Sequence, residues 1–197
     1  MSFLTGTSAE LIYMSTSPAT AKNTFTTEVR INDAAGMGSQ ACIPPYFWQP
    51  TASGSKGRVL YIKAFGLLNI TGTPTFTWSL RLGAADTVAT DNQVLGSAAT
   101  TVNVDARQWT YEGWVTMETP GAPGKNSTVR GVGHVIGNFG ASSLPIYAPL
   151  YGGAASPGTI ATVDISITNY INFNAACSAS SASNGITLQS LMVWGLN

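Results

Sequence analysis

The fold class of this 197-residue chain is decided by one stretch, Thr75-Phe76-Thr77-Trp78-Ser79-Leu80-Arg81-Leu82. Apolar and polar side chains alternate along it with a period of two residues. This alternation is typical of a β-strand that buries one face and exposes the other. The turn sequence Thr71-Gly72-Thr73-Pro74 comes directly before it. We therefore predict a half-buried strand here.

Related patterns follow along the chain. Strands are expected at 58–70, 100–104, 109–117, 129–139, 160–173 and 186–194. Pro145 and Pro149 interrupt the segment 144–150, which we expect to be an irregular crossing. The Ala- and Ser-rich tract 175–185 is expected to be a connection. No segment keeps an apolar period of 3.6 residues, so helix is predicted to be minor.

About eight strands without intervening helices predict an all-β fold, an antiparallel β-sandwich. We expect an eight-stranded jelly roll. The main competitor is an immunoglobulin-type sandwich, which would be nearer ~100 residues long with a Trp between paired cysteines. Residues 41–197 are predicted to form this single domain. Residues 1–40 are either an extended N-terminal arm that lies on a neighbouring subunit or the first strands of the domain.

Charged residues make up only 9% of the chain, and nine basic residues balance nine acidic ones. An ordinary globular domain carries about 25% charged residues. The balance removes the positive excess on which binding to nucleic acid or to a membrane surface depends. A neutral surface also lacks self-repulsion. Either copies of the chain or a partner cover much of it, or it is the uncharged exterior seen on extracellular and virion proteins; the two explanations are compatible.

The first residues, 1–7, contain no basic region followed by an apolar stretch, so we expect no secretory signal peptide. No run approaches the ~18 apolar residues of a membrane span. Folding in a cytosol is therefore expected. There Cys42 and Cys177 would stay separate buried thiols rather than form a disulfide.

Residue types that carry chemistry are sparse. The single histidine, His134, lies within a strand pattern with no nucleophile beside it, and we expect a packed or solvent-facing side chain rather than a catalytic base. One histidine and two distant cysteines do not suit a zinc site. Asp86 and Asp91 share a loop without the dense oxygen spacing of a calcium site. We predict no catalytic, metal-binding or cofactor-binding residues.

One carboxylate pair could serve a glycosidase, which needs two carboxylates about 5–10 Å apart. Glu112 and Asp164 both lie in predicted strands and could meet on adjacent strands, with Trp109 and Trp114 as a sugar platform. The alternative, which we favour, is that each carboxylate pairs with an arginine at the surface.

Aromatic side chains have two expected roles. Trp78, Trp109 and Trp194 alternate with polar residues, so we expect them in the core. Large aromatic residues beside two prolines suit a subunit contact instead, because prolines disrupt a strand ladder and aromatic residues are enriched at interfaces. The predicted interface residues are Pro44, Pro45, Tyr46, Phe47 and Trp48.

Taken together, the chain resembles structural proteins of tailed-bacteriophage virions, most closely the jelly-roll capsid decoration and minor capsid proteins. The resemblance covers about residues 40–197. It implies a non-enzymatic protein, often a homotrimer, that binds the major capsid protein on the exterior of the phage head and stabilises the shell. Such a protein would be made in the bacterial cytoplasm. The resemblance is carried by Cys42-Ile43-Pro44-Pro45-Tyr46-Phe47-Trp48, by residues 57–66 and 73–83, and by the closing strand to Trp194.

Minor tail and receptor-binding proteins share much of this pattern. The alternative hypothesis is therefore a carbohydrate- or receptor-binding tail or minor virion protein. Its binding surface would use exposed aromatic side chains, for which Trp48, Trp109 and Trp114 are the candidates.

Overall fold

The computed structural model describes residues 9–48, 58–85, 88, 90–102, 107–120, 127–139, 146–152 and 161–196. Within these ranges the regular structure is antiparallel β-sheet with one four-residue helix. The predicted all-β sandwich class is confirmed. The elements are β1 (Ala9–Met14), β2 (Lys22–Asn23), β3 (Val29–Arg30), α1 (Ala34–Met37), β4 (Cys42–Ile43), β5 (Val59–Asn69), β6 (Thr75–Gly83), β7 (Asn92–Ser97), β8 (Thr100–Thr101), β9 (Arg107–Thr119), β10 (Ser127–Gly137), β11 (Ile146–Gly152), β12 (Ala161–Val163), β13 (Asn169–Cys177) and β14 (Gly185–Leu196).

The strands form one hydrogen-bonded path that folds back on itself. Its order is β1-β14-β5-β9-β10-β11-β7-β6-β13-β3, with β12, β2, β4 and β8 attached to β10, β14, β13 and β6. Strands β9 and β13 lie far apart on this path. Nevertheless the ring of Phe173 lies 5.6 Å from that of Trp109 and 4.7 Å from that of Tyr111. The path therefore folds into two layers that enclose the core between them.

The core follows the predicted alternation. Trp78 and Trp109 are buried, as expected, and the ring of Trp78 stacks between Phe76 at 5.8 Å and Phe139 at 5.2 Å. Burying an apolar side chain of this size stabilises the fold by about 1.5–3 kcal/mol. The aromatic residues of the inner faces thus supply much of the driving force for packing the two layers together.

The expectation of an irregular crossing at 144–150 is wrong for its described part. Residues 146–152 form strand β11, which pairs with β10 along most of its length. Strand β7 pairs with β11 only from Leu150 onward. At Pro149 the strand therefore pairs with β10 only. Because β7 is not paired there, the missing N–H of the proline interrupts no hydrogen bond to β7. Pro145 lies outside the described residues.

The predicted strand 160–173 is broken by a turn. Asp164 accepts hydrogen bonds from the backbone N–H of Ser166 at 2.9 Å and from its hydroxyl at 2.5 Å. Asn169 donates to the backbone oxygen of Asp164 at 2.7 Å. Aspartate and asparagine favour such turns because their side chains bond to nearby backbone. Strand β13 begins after the turn and continues to Cys177, into the tract that we expected to be a connection.

Residues 9–40 pack against the rest of the same chain. Strand β1 pairs with β14, strand β3 pairs with β13, and Ile31 and Met37 are buried in the core. The side-chain amide of Asn32 bonds to the edge of β13 as the backbone amide of a neighbouring strand would. Its amide nitrogen donates to the oxygen of Ile171 at 2.6 Å, and its amide oxygen accepts from the nitrogen of Phe173 at 2.9 Å. These residues complete one edge of the sandwich.

The two cysteines are free, as predicted. Cys42 lies opposite Tyr170 at the start of β13, while Cys177 ends that strand. Seven residues of extended strand separate the two positions by roughly 23 Å. Burial raises the pKa of the Cys177 thiol, so it remains protonated at neutral pH.

Candidate functional site

The outer side of one layer carries a row of large apolar side chains that faces away from the core. Strand register places Leu11, Trp194, Tyr61, Trp114 and Val132 directly opposite one another on β1, β14, β5, β9 and β10. Cross-strand neighbours on one face have Cβ atoms about 5 Å apart. These five side chains therefore form one contiguous surface, which we call the aromatic row.

In the aromatic row the ring of Tyr61 lies between those of Trp194 and Trp114. The ring centroid of Tyr61 lies 5.3 Å from that of Trp114 and 5.3 Å from that of Trp194, with interplanar angles of 34° and 30°. The rings are therefore tilted toward one another rather than parallel. Val132, which lies opposite Trp114 on β10, is 58% exposed.

A cleft of about 330 Å³ lies along these three rings. Its walls are almost entirely apolar, because most of them are aromatic rings and aliphatic side chains. Contiguous exposed apolar surface of this kind marks binding sites in monomeric proteins. The cleft is lined by Ala9, Tyr61, Trp114, Trp194 and Leu196.

A second row beside it is polar. Lys63, Glu112 and His134 lie opposite one another on β5, β9 and β10, two residues along each strand from the aromatic row. We call these three residues the polar row. Glu112 accepts a hydrogen bond from the Tyr61 hydroxyl, and its second carboxylate oxygen lies 3.9 Å from Nε2 of His134. The His134 ring stacks on Tyr147 at 4.9 Å.

The contact between Tyr61 and Glu112 fixes the protonation of the tyrosine. Burial of the hydroxyl, its hydrogen bond to Glu112 and the negative charge of that carboxylate together raise the pKa of Tyr61 to about 12. Tyr61 therefore stays a neutral donor at physiological pH. One oxygen of Glu112 is occupied by this bond.

A second apolar area lies further along the same face. Phe65 and Leu67 of β5 are 46% and 40% exposed, and a cleft of about 470 Å³ adjoins them. Phe65 follows Tyr61 by four residues, which is roughly 13 Å along a strand. Gln108, Thr110 and Gln189 line the cleft with polar groups. The polar row therefore lies between two apolar areas.

Of the three tryptophans named for sugar binding, the structure places one at the surface. Trp48 and Trp109 are each only 1% exposed. Trp114 is half-buried in the aromatic row. The alternation in 109–117 separates Trp109, on the predicted core face, from Trp114 on the opposite face, whereas the prolines beside Trp48 interrupt any such pattern.

The expectation that Trp194 lies in the core is wrong. The register between β14 and β5 shifts between Leu188 and Ser190, which leaves Gln189 as an extra residue. One inserted residue turns every later side chain to the opposite face. Leu191 and Val193 are therefore buried, and Trp194 faces outward.

The proposed carboxylate pair is also wrong. Glu112 lies opposite His134, whereas Asp164 follows Val163, which lies opposite Ser127. Seven residues of β10 separate these two positions by roughly 23 Å, far more than a glycosidase pair allows. The described partners of Glu112 are Tyr61 and His134 rather than an arginine.

The described residues contain no cluster of three or more His, Cys, Asp or Glu side chains that could hold a metal ion. His134 contacts Glu112 and Tyr147 in this part of the chain. Asp91 binds Asn172, and Asp86 lies outside the described residues. No helix among the described residues has the length and apolar character needed to cross a membrane.

The predicted interface run divides into two parts. Pro44, Pro45 and Tyr46 are exposed, while Phe47 and Trp48 are buried within their own chain. Tyr46 has a left-handed φ of 59°, which bulky residues rarely adopt, and its N–H donates to the oxygen of Ile165 at 2.6 Å. The exposed corner 44–46 is the part of the run that could contact another molecule.

Neither the known protein-family models nor the curated proteins match this chain. Among solved structures it is similar to the CBM2 module of Lactobacillus casei BL23 phage J-1 evolved Dit, with 12% sequence identity and a TM-score of 0.34 over 97% of each chain. A TM-score this low supports no inference about the function of this chain.

Proposed function

We propose that this chain is a non-enzymatic protein of a bacteriophage virion that binds saccharide through the aromatic row. One observation carries the binding proposal: Tyr61, Trp114 and Trp194 line an apolar cleft of about 330 Å³ beside the polar row. The phage assignment is supported by the resemblance of residues 40–197 to virion proteins and by the 9% charged content.

Sugars suit this combination of side chains. A pyranose ring has faces of C–H groups and edges of hydroxyl groups. The face of an aromatic ring carries partial negative charge and attracts polarised C–H groups. A mostly apolar site with a few well-placed polar groups then fixes the orientation of the ligand. Here Trp114 supplies the face, and Glu112 and Lys63 supply polar groups in the adjacent row.

The arrangement supports binding rather than hydrolysis. Glycoside hydrolysis needs a second carboxylate within about 10 Å of the first. On the outer side of β9 the next carboxylate after Glu112 is Glu118, which lies roughly 20 Å along the strand. Glu118 is paired with Arg130 at 3.0 Å. Glu112 therefore serves as a hydrogen-bonding group in this proposal.

The test is a glycan array followed by titration calorimetry on the saccharides that bind. Trp114→Ala should weaken binding at least about tenfold, which corresponds to ~1.4 kcal/mol. Tyr46→Ala is the matched control, because it removes an exposed aromatic ring that does not line the cleft at Trp114. Thermal unfolding of each variant checks that it is folded. An array without binding, or affinities that Trp114→Ala leaves unchanged, would exclude the proposal.

A second candidate function is capsid decoration by a homo-oligomer, the role that the resemblance of residues 40–197 implies.

 

The observation that favours this second candidate is the exposed corner 44–46. A tyrosine held at a left-handed φ costs about 1–3 kcal/mol, which the surrounding structure must offset. The Tyr46 side chain is 52% exposed between Pro45 and the buried Phe47, and its backbone N–H is bonded to Ile165. Exposed aromatic side chains are enriched at protein contacts. In this candidate the oligomer binds the major capsid protein on the exterior of the head, and several weak contacts together hold neighbouring shell subunits.

Light scattering and shell disruption test the second candidate. A homotrimer would have three times the 20.5 kDa chain mass. Added protein should raise the disruption temperature of undecorated shells, and Tyr46→Ala should reduce that effect while Trp114→Ala does not. A monomer that leaves the disruption temperature unchanged would exclude this candidate.

A further inference from the structure

We propose that the ligand of the aromatic row is an extended glycan chain rather than a single terminal sugar, and that Phe65 binds a second sugar ring of that chain. The inference rests on the proposed saccharide binding and adds the size and shape of the ligand. It follows from two clefts that open on the same outer face, on either side of the polar row.

Both clefts lie along the outer side of β5 and β9. The first cleft, of about 330 Å³, is lined by Tyr61 and Trp114, which lie opposite each other on the two strands. The second cleft, of about 470 Å³, is lined by Phe65 and Thr110, which also lie opposite each other. On each strand the two lining residues are four positions apart, so their side chains point to the same face. The two clefts therefore lie in line along one pair of strands.

The spacing of the two clefts sets the length of a ligand that fills both. Tyr61 and Phe65 are separated by roughly 13 Å along the strand, the length of about three linked sugar rings. A single sugar ring is about as wide as one aromatic ring, so a monosaccharide would contact one cleft only. A linear glycan that contacts the aromatic row and continues along β5 would place a later ring against Phe65, which is 46% exposed.

One β-bulge in β14 contributes to both clefts. Its extra residue, Gln189, lines the second cleft beside Phe65. After the bulge the side chains change face, which places Trp194 in the first cleft instead of the core. Bulges are over-represented next to active sites, where they redirect a side chain. The same backbone feature therefore supplies an aromatic ring to one cleft and an amide to the other.

The polar side chains in and between the clefts suit the hydroxyl groups of a sugar chain. Gln108, Thr110 and Gln189 line the second cleft, and their amide and hydroxyl groups both donate and accept hydrogen bonds. Between the clefts Lys63 lies opposite Glu112, so a donor and an acceptor are present there and their charges compensate each other. Sugar hydroxyls also donate and accept, and they can therefore bond to each of these five side chains.

The order of these groups favours a glycan over a second protein chain. Protein contacts commonly have an apolar centre and a polar rim. On this face the order along β5 is the reverse, with Lys63 between Tyr61 and Phe65. A protein contact centred here would remove water from Lys63 and from Glu112 opposite it. A sugar chain replaces that water with its own hydroxyl groups.

The test is titration calorimetry on the full chain with a saccharide found on the glycan array, prepared as a length series from the monosaccharide to the hexasaccharide. Affinity should rise about tenfold between chains too short to reach Phe65 and chains long enough to reach it. Phe65→Ala should remove this gain and leave the affinity for the shortest chain unchanged, whereas Trp114→Ala should weaken binding at every length. Ile167→Ala is the matched control and should retain the gain, because Ile167 is an exposed apolar side chain that lines neither cleft.

Failures of the two proposals are distinguishable. Equal affinities along the length series, or a gain that persists in Phe65→Ala, overturn the inference and leave saccharide binding at the aromatic row intact. If no saccharide of any length binds, both proposals are overturned. If light scattering shows an oligomer that Phe65→Ala converts into a monomer, another copy covers the second cleft, and the inference is overturned. Thermal unfolding of each variant checks that it is folded.

Discussion

The two outer sides of the sandwich contrast sharply. Outside β6 and β13, polar side chains are covered by the chain's own residues 28–41, whereas outside β5 and β9 the aromatic row is left open. Asn172 and Asn174 on the covered side are fully buried. Arg81 makes two bonds to Glu28, at 2.9 Å and 2.6 Å, and one to the backbone oxygen of Asp91 at 2.9 Å. We call this the polar covered side.

The contrast separates stability from binding. Buried polar groups stabilise a fold only when their partners are present, so the polar covered side depends on residues 28–41 for its hydrogen bonds. The aromatic row keeps apolar area exposed, which is typical of a surface that meets another molecule. Substitutions on the covered side should therefore reduce stability without changing saccharide binding. Substitutions in the aromatic row should weaken saccharide binding and change stability less.

The largest effect on stability is expected from Asn32→Ala. The change removes both hydrogen bonds to β13 and leaves the oxygen of Ile171 and the nitrogen of Phe173 without these partners. The free energy of unfolding should fall by about 3 kcal/mol. Urea unfolding measures it, with Asn69→Ala at an exposed strand position as the control, where less than about 0.5 kcal/mol is expected. A loss below that of the control would show that the polar covered side does not hold the edge.

A matched pair of arginines compares the two sides directly. Arg81 and Glu28 are 20% and 25% exposed, whereas Arg130 and Glu118 are 42% and 27% exposed. Arg81→Met should lower the free energy of unfolding by about 2 kcal/mol, because it leaves a partly buried carboxylate unpaired. Arg130→Met should lower it by about 0.5 kcal/mol or less, because exposed pairs contribute little. Equal losses in urea unfolding would contradict the distinction between the sides.

Lowering the pH should change the stability contributions of two aspartates of the covered region in opposite directions. Burial raises the pKa of Asp91, and its contacts with Asn172 and Arg81 only partly oppose this. Burial also acts on Asp33, but hydrogen bonds from Lys22 and Gly36 outweigh it and lower the pKa. The folded state therefore gains stability from Asp91 as pH falls through its raised pKa toward the unfolded value of about 3.9. Asp33 contributes stability above that value and loses it as pH falls further, through its lowered pKa.

Asp91→Asn isolates the first of these contributions. The stability of the variant relative to the wild type should decrease as pH falls from 7 to 4, since only the wild type can take up the proton. Asp33→Asn should lose stability relative to the wild type at pH 7 and approach it below pH 3 or so. Urea unfolding over this pH range measures both differences. Parallel curves for wild type and Asp91→Asn would contradict a raised pKa for Asp91.

The sequence predicted the strands but not the surfaces that they form. Alternation located β5, β6, β9 and β10 and placed Trp78 in the core, because a period of two residues is a local property. The bulge at Gln189 carries no local signal, and it alone decides that Trp194 faces outward.

Both outer sides depend on contacts between distant parts of the chain. Asn32 and Ile171 are 139 residues apart in sequence. The aromatic row requires the register of five strands, from Leu11 on β1 to Val132 on β10. Strand pairing sets such juxtapositions, and a single sequence does not specify which strands pair. Of the residues in the aromatic row, the sequence therefore predicted only Trp114 as part of a binding site.

The smallest effect on stability is expected from Tyr61→Phe, a substitution within the aromatic row. The ring contacts remain, and only the hydrogen bond to Glu112 is lost. The free energy of unfolding should change by about 0.5 kcal/mol. Glu112 lies opposite Lys63 across the two strands, so a carboxylate released from Tyr61 becomes available to the ammonium group. Because the aromatic rings are unchanged, the variant should bind a saccharide from the array as the wild type does.

Tyr147→Phe is the control for this change. Tyr147 is 57% exposed and stacks on His134, so its hydroxyl can be removed without releasing Glu112. Urea unfolding and calorimetric titration with the same saccharide compare the two variants. If Tyr61→Phe weakens binding and Tyr147→Phe does not, the Tyr61 hydroxyl or the Glu112 carboxylate that it orients contributes to the ligand contact. Equal affinities would show that this hydrogen bond serves only to orient the ring of Tyr61 beside Trp114.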